Sequence, residues 1–167
     1  MNTRTIKAFE AIQPNNSPKL EINHILVDNV NIVVTDTTML LIKPHNLKVD
    51  ENMLLVNDKA KFKIDTEDLF NGFKVNKNIA DGYPNYKRII PTGDYIMFDN
   101  PMSFIDALYT VTYNHSILFD YIKMSTIFKK LDKNLSKVVS YNFKDKNLPL
   151  CLKFEDGEIF VIMPLNM

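Results

Sequence analysis

The residues best able to do chemistry are few and scattered. The three histidines, His24, His45 and His115, show no paired His, Cys or carboxylate spacing, whereas a metal site needs several donors brought to one point. Each reads as a surface or strand histidine. Cys151 is the only cysteine. It sits in LPLCLKF with a leucine on each side, where a thiol packs as a small inert hydrophobe. A lone cysteine also excludes an intrachain disulfide and gives no sign of an oxidising compartment. Gly72, Gly82, Gly93 and Gly157 lie too far apart to build a phosphate-cradling loop, and no serine occupies a nucleophile elbow. No catalytic residue, metal ligand or cofactor site is assigned. A binding or assembly protein is expected before an enzyme; the contrasting reading is a small enzyme whose carboxylates are gathered by the fold alone.

Lys+Arg and Asp+Glu balance at 20 each, so no global positive field draws the chain to nucleic acid, and any DNA contact must come from a local patch. The clearest helix pattern, YIKMSTIFKKLDKNL after Asp120, offers one. Met124, Ile127, Phe128, Leu131 and Leu135 form its apolar stripe, and Lys123, Lys130, Lys133 and Lys137 gather on another face. A solvated lysine face is the ordinary reading; a phosphate-contacting strip is the sharper one.

Strand patterns dominate the elements that must position these residues. TIKAFEAI is expected as a first strand. Residues 19–44 read as a three-strand antiparallel meander, KLEINHILV, VNIVVT and MLLIK, broken at Asp28-Asn29 and Asp36-Thr37 and ended by Pro44. MLLV (53–56) and KFKI (61–64) are short strands around Asn57-Asp58, and Asp65 caps a short helix to about Phe73. The segment 74–94, with Gly82, Pro84, Pro91 and Gly93, reads as a loop. Asn100-Pro101 predicts a helix to about Tyr109, and HSILFD predicts a strand ahead of the helix from 121. VVSYNF, LPLCLKF and EIFVIMP form a second meander, the last two joined at Asp156-Gly157. The two meanders hint at internal duplication.

With 167 residues, 46% of them hydrophobic, the chain can bury a real core. Two lobes are expected: a β-rich 1–90 with one short helix, and 91–167 with helices followed by the second meander, the alternative being one continuous domain. No apolar run is long enough to span a bilayer, and MNTRTIKAFE lacks the apolar core of a signal peptide. The expected location is cytoplasmic.

Three segments, taken in order, resemble the β subunit of bacterial DNA polymerase III, the sliding clamp. INHIL (22–26) and VVTDTTML (33–40) are similar to that family's Leu-Asn-Gly strand and Thr-Asp-Gly turn, with Thr37, Thr38 and Met39 at its Gly-His-Arg positions. YPNYKRIIP, Tyr83 to Pro91, resembles its linker motif Phe/Tyr-Pro-Asp-Tyr-Arg-Arg-hydrophobic-hydrophobic-Pro. VIMPLNM (161–167) resembles its Val-Val-Met-Pro-Met-Arg-Leu tail, with Asn166 where an arginine is common.

The resemblance implies an α+β fold of sliding-clamp-like architecture, antiparallel sheets with two or three short helices, amounting to little more than one clamp domain. It implies a DNA replication or repair accessory role without catalysis or cofactor. Partner proteins of the family insert a short peptide bearing Gln, Leu and Phe into a hydrophobic cleft. The wall implied here is Ile22, Thr35, Thr37, Met39, Leu40, Pro91, Val161, Met163, Pro164, Leu165 and Met167. Ile22, Val161 and Met163 fit strand-core roles equally well, whereas Pro164, Leu165 and Met167 lie at a chain end, where residues order mainly by docking. The implied DNA-facing residues are Lys123, Lys130, Lys133 and Lys137, with double-stranded DNA and further copies of the chain as partners in a ring. The alternative is a monomeric clamp-like module or decoy, from a phage or mobile element, that binds such peptides without encircling DNA.

Overall fold

The structure, a computed structural model, describes residues 3–14, 17–46, 48–49, 52–56, 74–76 and 82–165. The expected strand TIKAFEAI is instead a helix, α1 (Thr3–Ile12). Thr5, Ala8, Phe9 and Ile12 are buried at helical spacing while Arg4, Lys7 and Glu10 face solvent, so the 3.6-residue period overrides the strand reading. The first meander follows as β1 (His24–Val27), β2 (Asn31–Thr35) and β3 (Met39–Pro44). Its first strand is shorter than expected, because Leu20–Asn23 form a 3-10 turn. β4 (Met53–Val56) pairs with β1, and β5 (Lys74–Asn76) with β4. The segment 74–94 is therefore not wholly loop. The expected strand 61–64, the Asn57-Asp58 turn and the helix from Asp65 lie outside the described residues.

The second half opens with β6 (Ile96–Met102), which contains the Asn100-Pro101 pair expected to start a helix. The helix, α2 (Phe104–His115), starts three residues later and runs further. Ser103 is its N-cap: the Ser103 hydroxyl oxygen accepts the Asp106 amide, and the chain turns out of the helix at left-handed Ser116. HSILFD forms no strand. Ile117 and Phe119 are buried and Leu118 is exposed, an alternation that resembles a strand in sequence but enters no ladder. α3 (Tyr121–Asn134) leads into β7 (Val138–Asn142), β8 (Leu150–Phe154) and β9 (Ile159–Ile162), the second meander as expected.

The nine strands of the described residues form one antiparallel sheet in the order β5-β4-β1-β2-β3-β9-β8-β7-β6. Its centre is the β3–β9 ladder, where Met39 faces Ile162, Leu40 faces Val161 and Leu41 faces Phe160. The two meanders meet edge to edge there, and α1 packs on α3. On the helical side, Val27, Val34, Leu41, Leu152 and Phe160 pack beneath α1, α2 and α3. Phe104 anchors this layer, edge-on to Phe160 at 5.0 Å and Phe128 at 5.7 Å. On the other side Leu26, Val33, Leu40, Cys151 and Val161 pack beneath Tyr83 and Tyr86. With both faces covered, the central strands are continuous apolar runs rather than alternating ones.

Candidate functional site

The segment 83–95 is pinned across the sheet's non-helical face by its tyrosines. The Tyr83 hydroxyl donates to the Val33 carbonyl at 3.3 Å, and the Tyr86 hydroxyl donates to Asp28 Oδ2 at 2.5 Å. Asp28 Oδ1 also accepts the Val30 and Asn31 amides, and Lys87 Nζ lies 3.5 Å from Oδ2. Burial pushes the Asp28 pKa up, but these hydrogen bonds and Lys87 together outweigh it and hold the carboxyl below its usual range. Burial and the adjoining carboxylate push the Tyr86 phenol well above its ordinary value. The phenol therefore remains a donor and Asp28 an acceptor, a charge-assisted tie.

A second tie holds the turn between β2 and β3. Asp36 Oδ1 accepts the Thr38 amide at 2.8 Å, the Thr38 hydroxyl at 2.9 Å and the Met39 amide at 2.6 Å. Thr35 Oγ1 donates to the Met39 carbonyl and accepts the Thr37 amide. Thr37 is thereby held at φ 81°, a left-handed conformation that costs a β-branched residue. This turn receives the tail. The Met163 amide donates to the Thr38 carbonyl at 2.9 Å, and the Leu165 amide donates to the Leu118 carbonyl at 2.9 Å. Pro164, which lacks an amide hydrogen, is buried between them.

Between the pinned segment and the tail lies a groove of about 500 Å³, lined by Lys87 to Thr92, Asn142, Lys144, Leu148, Pro149 and Met163. Ile89, Leu148 and Met163 are 39%, 46% and 37% exposed. Three large apolar side chains thus stand partly in solvent along one groove. A smaller depression lies around Leu165, bounded by Ser116, Leu118, Lys146 and Asn147, so Met163 and Leu165 border different hollows.

Of the wall residues expected from sequence, Pro91 and Met163 line the groove itself. Leu40 and Val161 are cross-strand partners in the apolar layer against which Ile90 packs. Thr35 and Thr37 build the turn that holds Met163, Pro164 is buried in the tail, and Leu165 borders the second hollow. Met39 faces the helical core, Ile22 is buried in the 3-10 turn, and Met167 lies outside the described residues. Sequence reasoning missed Lys87 to Ile90, Thr92, Asn142, Lys144, Leu148 and Pro149 as lining residues. Lys87 to Ile90 are inside the quoted YPNYKRIIP motif and Thr92 follows it; Asn142 ends β7, and Lys144, Leu148 and Pro149 lie in the connection to β8.

On the helical layer, Lys130 and Lys133 are exposed on α3, whereas Lys137 is exposed beyond the end of that helix. The side chain of Lys123 lies outside the described residues. Lys129 on α3 and Arg4 and Lys7 on the adjoining α1 are also exposed; the last two were missed because α1 was read as a strand. Among the described residues no three His, Cys, Asp or Glu side chains gather as a metal site requires, and no helix is long and apolar enough to cross a membrane.

No protein-family model and no curated protein sequence matches the chain. Solved structures do. The DNA polymerase III beta chain of Streptococcus pneumoniae superposes with a TM-score of 0.61 at 12% identity, covering 98% of this chain and 62% of that one. The DNA polymerase sliding clamp of Pseudomonas aeruginosa gives 0.61 at 12%, covering 98% and 64%. The Helicobacter pylori beta clamp bound to a DNA ligase peptide gives 0.56 at 17%, covering 98% and 64%. The chain thus has the sliding-clamp fold, and it spans less than two thirds of the length of these clamps.

Proposed function

We propose that this protein is a sliding-clamp-like accessory of DNA replication or repair that docks partner peptides, without catalysis, in the groove beside its C-terminal tail. The observation that carries this reading is the convergence of three segments distant in sequence. The 83–91 segment and the tail both line the groove, and the β2–β3 turn holds the tail in place. A pre-formed apolar groove on a rigid sheet is what an extended peptide needs, since it leaves little ordering cost on the protein side. The peptide complex of the H. pylori clamp supports the same reading by likeness of fold. The test is a fluorescence-anisotropy titration with a labelled peptide bearing Gln, Leu and Phe. Binding abolished by Leu148→Glu, an exposed position, supports the groove; binding unaffected by it removes the groove as the site.

The exposed cations of α1 and α3 support double-stranded DNA as a further partner, engaged by charge rather than by base reading. Assembly into a ring would turn that face toward the duplex. Ile105, Tyr109 and Tyr113 on α2, together with Ile96 and Met97 on the edge strand β6, are exposed and supply apolar area for a second copy. The second reading is a monomeric clamp-like module that binds the same peptides without encircling DNA. It is favoured by Asp99, Asn100 and Pro101 in the edge strand β6, residue types that discourage strand pairing between copies. Mass measured by light scattering separates the two: a stable oligomer supports the ring, a monomer the module.

A further inference from the structure

The groove is not merely apolar. Lys87, Arg88 and Lys144 stand along it, and no Asp or Glu is among its described lining residues. Lys87 is already paired with Asp28, 3.5 Å away outside the lining, so Arg88 and Lys144 are the groove cations with no carboxylate among the described lining residues. Lys144 Nζ donates to the Thr92 carbonyl at 2.7 Å, which holds one of these charges against the groove wall. Asn142 adds a second, independent feature. It is only 3% exposed, its Nδ2 donates to the Asp94 carbonyl at 2.8 Å, and its Oδ1 has no partner among the described residues. A buried acceptor without a donor is costly and is met most simply by a donor arriving with a ligand.

We infer that the groove selects an extended peptide that combines apolar side chains with carboxylates, the carboxylates set against Arg88 and Lys144 and an amide donor directed to Asn142. This rests on the peptide-docking reading above and adds the chemistry of the peptide. Nucleic acid is disfavoured, because the apolar lining is Ile89, Ile90, Pro91, Leu148, Pro149 and Met163, with no aromatic face for base stacking. A carboxylate gains affinity here mainly through long-range attraction at the rim, so the selection is salt-dependent.

The experiment compares two labelled, end-capped hexapeptides, Glu-Leu-Asp-Leu-Phe-Gly and its neutral counterpart Gln-Leu-Asn-Leu-Phe-Gly, on the full chain. At low salt the acidic peptide is expected to bind about tenfold more tightly, a difference of roughly 1.4 kcal/mol. The advantage shrinks as salt is raised. Arg88→Gln and Lys144→Gln weaken the acidic peptide and leave the neutral one unchanged, a contrast that a merely misfolded variant cannot produce. Equal binding of both peptides, reduced by Leu148→Glu, overturns the acidic selection while sparing the docking reading. Binding of neither overturns both. Displacement of the bound acidic peptide by a short single-stranded oligonucleotide, with loss of oligonucleotide binding in Arg88→Gln, overturns the inference in favour of a nucleic-acid groove.

Discussion

The carbonyl of Thr38 accepts the amide of Met163 at 2.9 Å, joining the turn of the first meander to the tail that follows the second. This contact extends the β3–β9 ladder by one step past the Met39–Ile162 pair. The position of Met163 along the groove therefore depends on the conformation of a turn more than a hundred residues away in sequence. That turn is held in a left-handed conformation at Thr37.

Thr37→Gly should raise stability. Threonine at φ 81° bears the left-handed penalty of a β-branched residue, which glycine relieves, while glycine's greater unfolded-state entropy takes part of the gain back. A net gain of roughly 0.5–1 kcal/mol is expected from these opposing terms, read as a higher urea midpoint at unchanged slope. A lower midpoint would mean that the Thr37 side chain has a stabilising role its exposed position does not suggest.

Asp28→Asn should destabilise the protein in a pH-dependent way. The carboxylate accepts two amides and the Tyr86 hydroxyl, and a buried hydrogen bond to a charged group contributes about 1.5–3 kcal/mol. The native pKa of Asp28 is lowered, so the unfolded chain binds the proton more readily. Its contribution is fully present above the ordinary aspartate value near about 4 and is lost as pH falls through the lower native value. Urea titrations of both proteins should therefore differ at pH 7 and converge in strong acid; a constant gap across that range would contradict the assignment.

Cys151 should resist thiol reagents in the native state. It is fully buried, its pKa is pushed up by burial to about 11, and its Sγ lies 3.2 Å from the Tyr95 hydroxyl. At pH 8 only a small fraction would be thiolate even if a reagent could reach it. Labelling by Ellman's reagent should follow global unfolding and accelerate sharply in denaturant. Rapid stoichiometric labelling without denaturant would contradict the burial of the central strands.

Neutralising Lys129, Lys130 and Lys133 together should weaken retention on double-stranded DNA. Each cation that contacts a phosphate contributes close to one unit to the dependence of log affinity on log salt. The triple variant should show a shallower slope by up to about three units, with peptide binding preserved because the helical layer lies on the opposite side of the sheet from the groove. An unchanged slope would remove α3 as a DNA-facing element.

The two meanders were legible because β-branched runs punctuated by Asp-Asn, Asp-Thr and Asp-Gly leave few other readings. The helix from 121 was legible from its apolar stripe. α1 was not, because Ile6 and Ala8 on either side of Lys7 suggest alternation, and only the burial of Thr5 and Ala8 with Phe9 and Ile12 reveals the helical face. Asn100-Pro101 misled for a physical reason: proline is accepted in an edge strand as readily as in a first helical turn, and the Ser103–Asp106 cap lay just beyond it. The proposed groove was foreshadowed by three separate segments. Its fourth side, Asn142 to Pro149, was hidden because the end of β7 and its connection to β8 carry no pattern that says what they face.

The most direct measurement is a titration of the Gln-, Leu- and Phe-bearing peptide into the intact chain, a chain lacking residues 164–167, and the Leu148→Glu variant. The intact chain should bind saturably, and both changes should weaken binding at least about tenfold, a loss of roughly 1.4 kcal/mol, with the folded state of each confirmed by its urea transition. Equal affinity for all three would place any peptide site away from the tail and contradict the proposed groove.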